Sequence, residues 1–221
     1  MRFLLPLLLF ISAQAQRFEI RDMSHRNTLS IVSDSALERV VGVASLLWGW
    51  VELDLDDLSK GIKGEMEVDL RALDTGIDIR NSVLREKILD TPQFPTATVQ
   101  FVKWAEAVQG KVGEGQPVSK KVECLLKYRG KNFGLTVPLK IAYFKESDFS
   151  KQRLPGNLVR LSTKFSQDIT ALGVTIPDTL KAVVAKMVEI NLDVVGSDKI
   201  PAGFTPLPEG PKPKDRETTS K

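Results

Sequence analysis

"IKGEMEVDL", residues 62–70, alternates without a fault. Ile62, Gly64, Met66, Val68 and Leu70 fall on one side, and Lys63, Glu65, Glu67 and Asp69 on the other. A sustained period of two describes a strand with one dry face and one wet face. The pattern recurs along the chain. "NFGLTVPLKIAYF" (132–144) sets Phe133, Leu135, Val137, Leu139, Ile141 and Tyr143 together. "VRLSTKF" (159–165) groups Val159, Leu161, Thr163 and Phe165, and "VEINLDVVG" (188–196) groups Val188, Ile190, Leu192 and Val194. Less regular strands are expected near 17–23, 27–33, 38–45, 48–55, 97–105 and 118–128. Turn signals separate them at Lys60-Gly61, at "GKVGEGQP" (110–117) and at Arg129-Gly130.

Eight or more antiparallel strands, each with one apolar face, satisfy themselves as a closed barrel or as a sandwich. Length favours the barrel. A strand over 132–144 runs ~40 Å at 3.3 Å per residue. Tilted by the ~40° typical of barrels, it stands ~30 Å tall. The expected fold is all-β, an extended antiparallel barrel of about eight strands capped by one or two short helices.

One segment breaks the period. In "RNSVLREKILDTPQFPTATVQF" (80–101), Val83, Leu84 and Ile88, with Ile79 just before, fall at helical intervals. Pro92 and Pro95 disfavour helical geometry at Thr91 and Phe94. The spacing predicts a helix over 79–90 lying across one barrel end, with Ile79, Val83 and Ile88 facing in. A second helix is expected at 178–187 from Leu180, Val183, Val184 and Met187. "SLLWGW" (45–50) has two readings: Leu46, Leu47 and Trp48 pack into the core, or they form an apolar lip at a ligand entrance, where Trp suits the boundary between apolar and wet surroundings.

The chain starts with Met1-Arg2, an apolar run from Phe3 to Ile11, and Ala13-Gln14-Ala15. This is the pattern of a secretory signal peptide cleaved after Ala15. The run is far short of the ~20 apolar residues of a membrane-spanning helix. Residues 16–198 then form the folded domain, with a periplasmic or secreted location. The tail 199–221 carries five of the twelve prolines and little to bury, and is expected to be disordered. Cys124 is the only cysteine, so no internal disulfide is expected. Its place in the alternation with Val122, Leu126 and Tyr128 makes it a buried, inert thiol. Without Arg2 the chain carries 30 basic and 28 acidic residues, which supplies no basic excess for a nucleic-acid partner.

Catalytic constellations do not assemble. His25 is the only histidine, and a lone histidine between Ser24 and Arg26 reads as solvated. No Cys/His set for zinc and no G-x-S-x-G elbow occurs. Asp56-Asp57 reads as a solvent-facing loop pair. The expectation is a protein that is not an enzyme, with no metal and no catalytic residue.

Several stretches together resemble the YceI-like family: Asp74-Thr75-Gly76, Arg80-Asn81-x-x-Leu84, and Phe94-Pro95-x-Ala97-x-Val99-x-Phe101. "LLKYRGKNFGLTVPL" (125–139) and "FSQDITALGVTIPDTLKAVVAKMVEINLDV" (165–194) extend the resemblance over roughly 17–196. It implies an exported bacterial, lipocalin-like barrel that binds a long isoprenoid lipid, or a quinone-like ligand, without catalysis. The sequence departs from the family where Asn81 and Val83 replace an Asp and a His often found there, which puts any acid, base or metal role at that helix in doubt. On this reading Trp48, Val68, Ile79, Val83, Phe101, Leu126, Leu135, Val137, Phe165 and Ile190 line the interior or mouth. Transient membrane contact and a homodimer remain open. So do a chaperone-like protein with a packed interior, and an enzyme acting on a bound lipid.

Overall fold

The structure is a computed structural model that describes residues 15–199. The residues up to Gln14, where a signal peptide is expected, and those beyond Lys199 lie outside the described residues. The strands are β1 (Gln16–Ile20), β2 (Thr28–Asp34), β3 (Arg39–Ala44), β4 (Leu47–Leu53), β5 (Ile62–Asp69), β6 (Thr96–Trp104), β7 (Val118–Tyr128), β8 (Lys131–Phe144), β9 (Leu158–Asp168) and β10 (Met187–Ser197). Each expected strand is present, with ends displaced by a few residues at most.

These antiparallel strands occupy eight positions of a closed barrel. From β4 through β10 each strand pairs with the next. β1 and β2 share one position beside β10: Glu19 lies opposite Ser197, and Thr28 to Ser33 lie opposite Asp193 to Val188. β3 and β4 share the next position, with β2 on β3 and β1 on β4. The break between β1 and β2 is bridged by a side chain. Asn27 accepts from Val195 N at 2.9 Å and donates back to Val195 O at 3.3 Å, standing in for a peptide group in the ladder. The intervening turn is held by buried Asp22, which pairs with Arg26 at 2.9 Å and Arg153 at 3.0 Å. His25 sits exposed at the tip of that turn, with φ of 51°.

The dry faces point inward, as the alternation requires, but they do not fill the barrel evenly. At one end Phe18, Ile20, Leu53, Ile141, Val159 and Leu161 are essentially inaccessible. Trp104, Val108, Val112 and Leu58 close that end, and Trp104 Nε1 donates to Leu58 O at 2.7 Å. Gly64 on β5 leaves room for the ring of Phe101 on β6, since a Cβ there would lie 2.8 Å from it. The other end is hollow.

The helical segment is α1 (Asp78–Val83) followed directly by a π-helical turn, Leu84–Ile88. The expected second helix is not present. Asp178–Leu180 is a single 3-10 turn, and Met187 already opens β10. Backbone groups that a helix would have used go to the β2–β3 hairpin instead. Ala185 N donates to Ser33 Oγ at 2.9 Å, and Ala182 O accepts from Leu37 N at 3.3 Å. Leu180 and Val184 still reach the apolar cluster at the hollow end, so the helical spacing marked burial without a helix.

Candidate ligand cavity

The hollow half encloses a cavity of about 190 Å³ with an apolar wall. Seven expected residues line it: Val68, Phe101, Leu126, Leu135, Val137, Phe165 and Ile190. Met66, Val99, Cys124, Leu139, Thr163 and Leu192 join them. Each of these shares a period-two face with a residue already expected, so alternation carried the signal. Leu29 and Ile31 enter from β2, whose pattern is less regular. Leu89, Leu172 and Val174 come from segments outside the strands, where no periodicity pointed inward.

Three expected residues do not line it. Trp48 lies directly opposite Glu67 on the outer face, one residue from inward-facing Leu47. Trp50, two residues on, carries the Arg17 guanidinium at 4.0 Å from its ring centroid, so both tryptophans belong to the outer wall. "SLLWGW" therefore divides: Leu47 packs inside and Trp48 outside. Ile79 is 76% exposed, against the inward placement expected. Val83 is half-buried and does not reach the cavity. The cause is the π turn. Leu89 N bonds to Leu84 O at 2.8 Å, a five-residue step that rotates the inward face away from the 79/83 line and onto Ile88 and Leu89.

Polar groups fasten this helix. The buried Asn81 accepts from Thr75 N at 2.8 Å and from Thr75 Oγ1 at 2.7 Å, and its amide nitrogen donates to Asp74 Oδ1 at 2.7 Å. Arg80 Nε donates to Thr75 Oγ1 at 3.0 Å and its guanidinium pairs with Glu38. The Gly76 N–H, then the Asn81 amide, hold the Asp74 carboxyl below the usual carboxylate range. The Asp-Thr-Gly and Arg-Asn stretches are thus two sides of one structural clasp.

A roof closes the hollow end. Leu70, Ile88, Tyr128, Leu172 and Val174 form a buried cluster, with Phe94, Phe133 and Ile169 against it. The Tyr128 hydroxyl donates to Leu89 O at 2.9 Å. Arg129 donates to Ile88 O at 3.0 Å and to Gly173 O at 2.7 Å, with its guanidinium 5.5 Å from the centroid of Phe94. One side chain at the β7–β8 turn therefore ties the helix to the loop after β9, and its cation faces the last helical carbonyls.

Burial pushes the Cys124 thiol up to about 12, leaving an unreactive apolar group in the wall. Among the described residues no cluster of His, Cys, Asp and Glu is arranged to hold a metal ion. Nor is any helix among them long and apolar enough to cross a membrane. What the arrangement offers a ligand is an enclosed hydrocarbon surface with few polar groups, the property of a binding cavity.

A family model described as a YceI-like domain matches residues 21–196. No curated protein matches the sequence. Solved structures share the fold. BcnA of Burkholderia cenocepacia is 19% identical with a TM-score of 0.59, over 77% of this chain and 96% of its own. A polyisoprenoid binding domain from Saccharophagus degradans, implicated in plant cell wall breakdown, is 14% identical with a TM-score of 0.56, over 83% and 99%. The Campylobacter jejuni YceI protein is 14% identical with a TM-score of 0.57, over 74% and 88%.

Proposed function

Since the chain belongs to the YceI-like domain family, we propose that it is a non-catalytic lipid-binding protein that carries or stores a long-chain isoprenoid or similar single-chain amphiphile in the periplasm. The observation that carries this reading is the half-empty barrel with an apolar wall. A chaperone-like protein with a solid interior has no use for such a space. The Saccharophagus degradans domain, described as polyisoprenoid binding, supports the choice of ligand class.

The energetics suit carriage. Each methylene taken from water contributes ~0.8 kcal/mol. A bilayer offers the same chain an equally apolar home, so the net preference is small and the lipid exchanges. A barrel ~30 Å tall matches the ~30 Å hydrocarbon core of a bilayer. Export rests on Met1-Arg2, the apolar run and the Ala13-Gln14-Ala15 site. N-terminal sequencing of the exported protein is expected to begin at Gln16, and a retained Met1 on the mature form sinks the export reading.

Mass spectrometry of an organic extract of the purified full chain, expressed in a membrane-containing host, tests the binding reading. A long-chain lipid is expected at near-stoichiometric amount. Repeated absence of any lipid, together with failure to load from vesicles, overturns it.

A further inference from the structure

Side chains pack over the cavity at both barrel ends. Trp104, Val108 and Val112 close one, and the Tyr128–Arg129 roof closes the other. The side wall is continuous wherever the ladder is complete. The free edge of β3 is bridged at Val43, which exchanges both backbone hydrogen bonds with Asp74 at 2.8 and 2.9 Å. One seam differs. β8 pairs with β7 along the whole length of β7, from Lys131 opposite Tyr128 to Ile141 opposite Val118. β9 pairs with β10 from end to end. Between themselves β8 and β9 pair only from Phe144 opposite Leu158 to Lys140 opposite Ser162. Beyond that rung, residues 131–139 and 163–168 border the same cavity with no ladder between them.

Pro138 supplies the reason. Tyr143 O accepts from Gly115 N on the β7 side, at 2.9 Å. Backbone groups alternate along a strand, so those of Lys140, Pro138, Thr136 and Gly134 turn toward β9. Proline has no N–H to give, and the ladder stops one step past Lys140. The inner lips of the resulting slit are Leu135 and Val137 on one side and Phe165 and Gln167 on the other, all of them cavity residues. At its apex, one residue past the last rung, the buried Thr163 hydroxyl has no hydrogen-bond partner among the described residues. The Arg129–Gly173 bond straps the far end.

We propose that the β8–β9 slit is the ligand portal, through which a single-chain amphiphile enters sideways, its chain lying in the hollow half and its oxygen-bearing end at the apex against Thr163. This rests on the lipid-binding reading. Size supports it. The space of about 190 Å³ is little larger than the ~150 Å³ cavity that holds one benzene. A chain of tens of carbons therefore needs the wall to part or widen, and this seam parts without breaking a ladder. An unpartnered buried hydroxyl is costly unless a ligand satisfies it.

Backbone amide exchange of the full chain tests the seam without any ligand. Gly134 and Thr136 are expected to exchange fast, while Leu135 and Val137, bonded to β7, are protected. Protection of all four overturns the slit. A lock tests the portal. Thr136→Cys with Ser166→Cys places two thiols across the gap in the continued register, and Pro138→Val restores the missing donor if that disulfide does not form. Loading is followed from phosphatidylcholine vesicles containing a long-chain polyprenol. The oxidised or re-laddered protein is expected to load several-fold more slowly than wild type, with reduction restoring the disulfide form. Equal rates overturn the portal while leaving lipid binding intact, whereas no loading even by wild type overturns the binding reading and the portal with it. Thr163→Val tests the apex. It is expected to raise the melting temperature of the empty protein and to weaken polyprenol binding about fivefold to tenfold, the worth of one hydrogen bond, with binding of a plain hydrocarbon such as squalane unchanged. Equal losses for both ligands remove Thr163 from the site.

Discussion

The two halves of the barrel are built from the same strands and differ in what fills them. On β9, Leu161 is wholly buried in the closed half, while Phe165, four residues on and on the same face, lines the cavity. On β8, Ile141 is wholly buried and Leu135 borders open space. Alternation is as regular in one half as in the other. The difference comes largely from outside the strands. Leu58, Val108 and Val112, with Trp104 at the end of β6, fold down into one end, whereas at the other the roof residues stay at the rim and pack on each other. A period-two face therefore encodes a wall, and the connecting segments decide whether the wall encloses a core or a cavity.

The comparison is broken most directly by truncating matched leucines. Leu161→Ala in the closed half is expected to cost about 3 kcal/mol, the usual price of a new void in a packed core. Leu135→Ala, beside space that already exists, is expected to cost about half as much and to alter lipid loading instead. Denaturant unfolding with a lipid assay on both variants decides the matter. Equal stability losses would mean that the two halves are packed alike.

The roof comes next. Arg129→Ala removes the two carbonyl contacts that join helix and loop, and about 2 kcal/mol is expected from such charged hydrogen bonds. Amide exchange is expected to rise around Ile88 and Gly173 and to stay unchanged near Trp104. Loosening at both ends would show that the halves are not independent.

Asn81→Asp probes the clasp under the helix. Asp74 would lose the amide donor and face a second carboxylate. Two close carboxylates cannot both ionise freely, so the new acid titrates high in the folded state. Such a group lowers stability as pH rises above its unfolded value and leaves it intact in acid. A variant about 1–2 kcal/mol weaker at neutral pH, with the deficit shrinking on acidification in thermal melts, is expected. A deficit independent of pH points to shape rather than charge.

The smallest effect belongs to Asp168, at the rim of the hollow half. The Thr170 hydroxyl, then Lys186, hold its carboxyl down at about 2, against 3.8 for the free group. A depressed acid stabilises the fold above its unfolded value and loses that contribution as pH falls through the folded one. The loop after β9 is expected to loosen first between about pH 4 and pH 2, within the window set by 3.8 and about 2. Exchange rates near Thr170 and Leu172 should rise there before those near Leu161. Simultaneous loosening of both regions contradicts this assignment.

Much of this protein was legible in the order of its residues. All ten strands, the inward residues of β5, β8, β9 and β10, and the buried Cys124 follow from apolar and polar residues alternating with the pleat, because a strand shows its side chains to two faces in turn. Seven of the ten expected residues stand on the cavity wall for that reason. Trp48, Ile79 and Val83 stand away from it for another. An apolar side chain says that it covers something, but which face it covers depends on register, and the Leu84–Ile88 π turn shifts register in a way that a 3.6-residue period cannot reveal. Residues 178–187 likewise carried helical spacing, yet Ser33 and Leu37 took their backbone bonds. The β8–β9 slit lay furthest from view. Pro138 was plain in the sequence, but its missing N–H matters only once tertiary pairing sets which neighbour it would have faced. The sequence by itself determined the faces of the strands, since these depend on local geometry. Only the tertiary structure decided which end is full, which is hollow and where the wall lies open, since these depend on which distant segments meet.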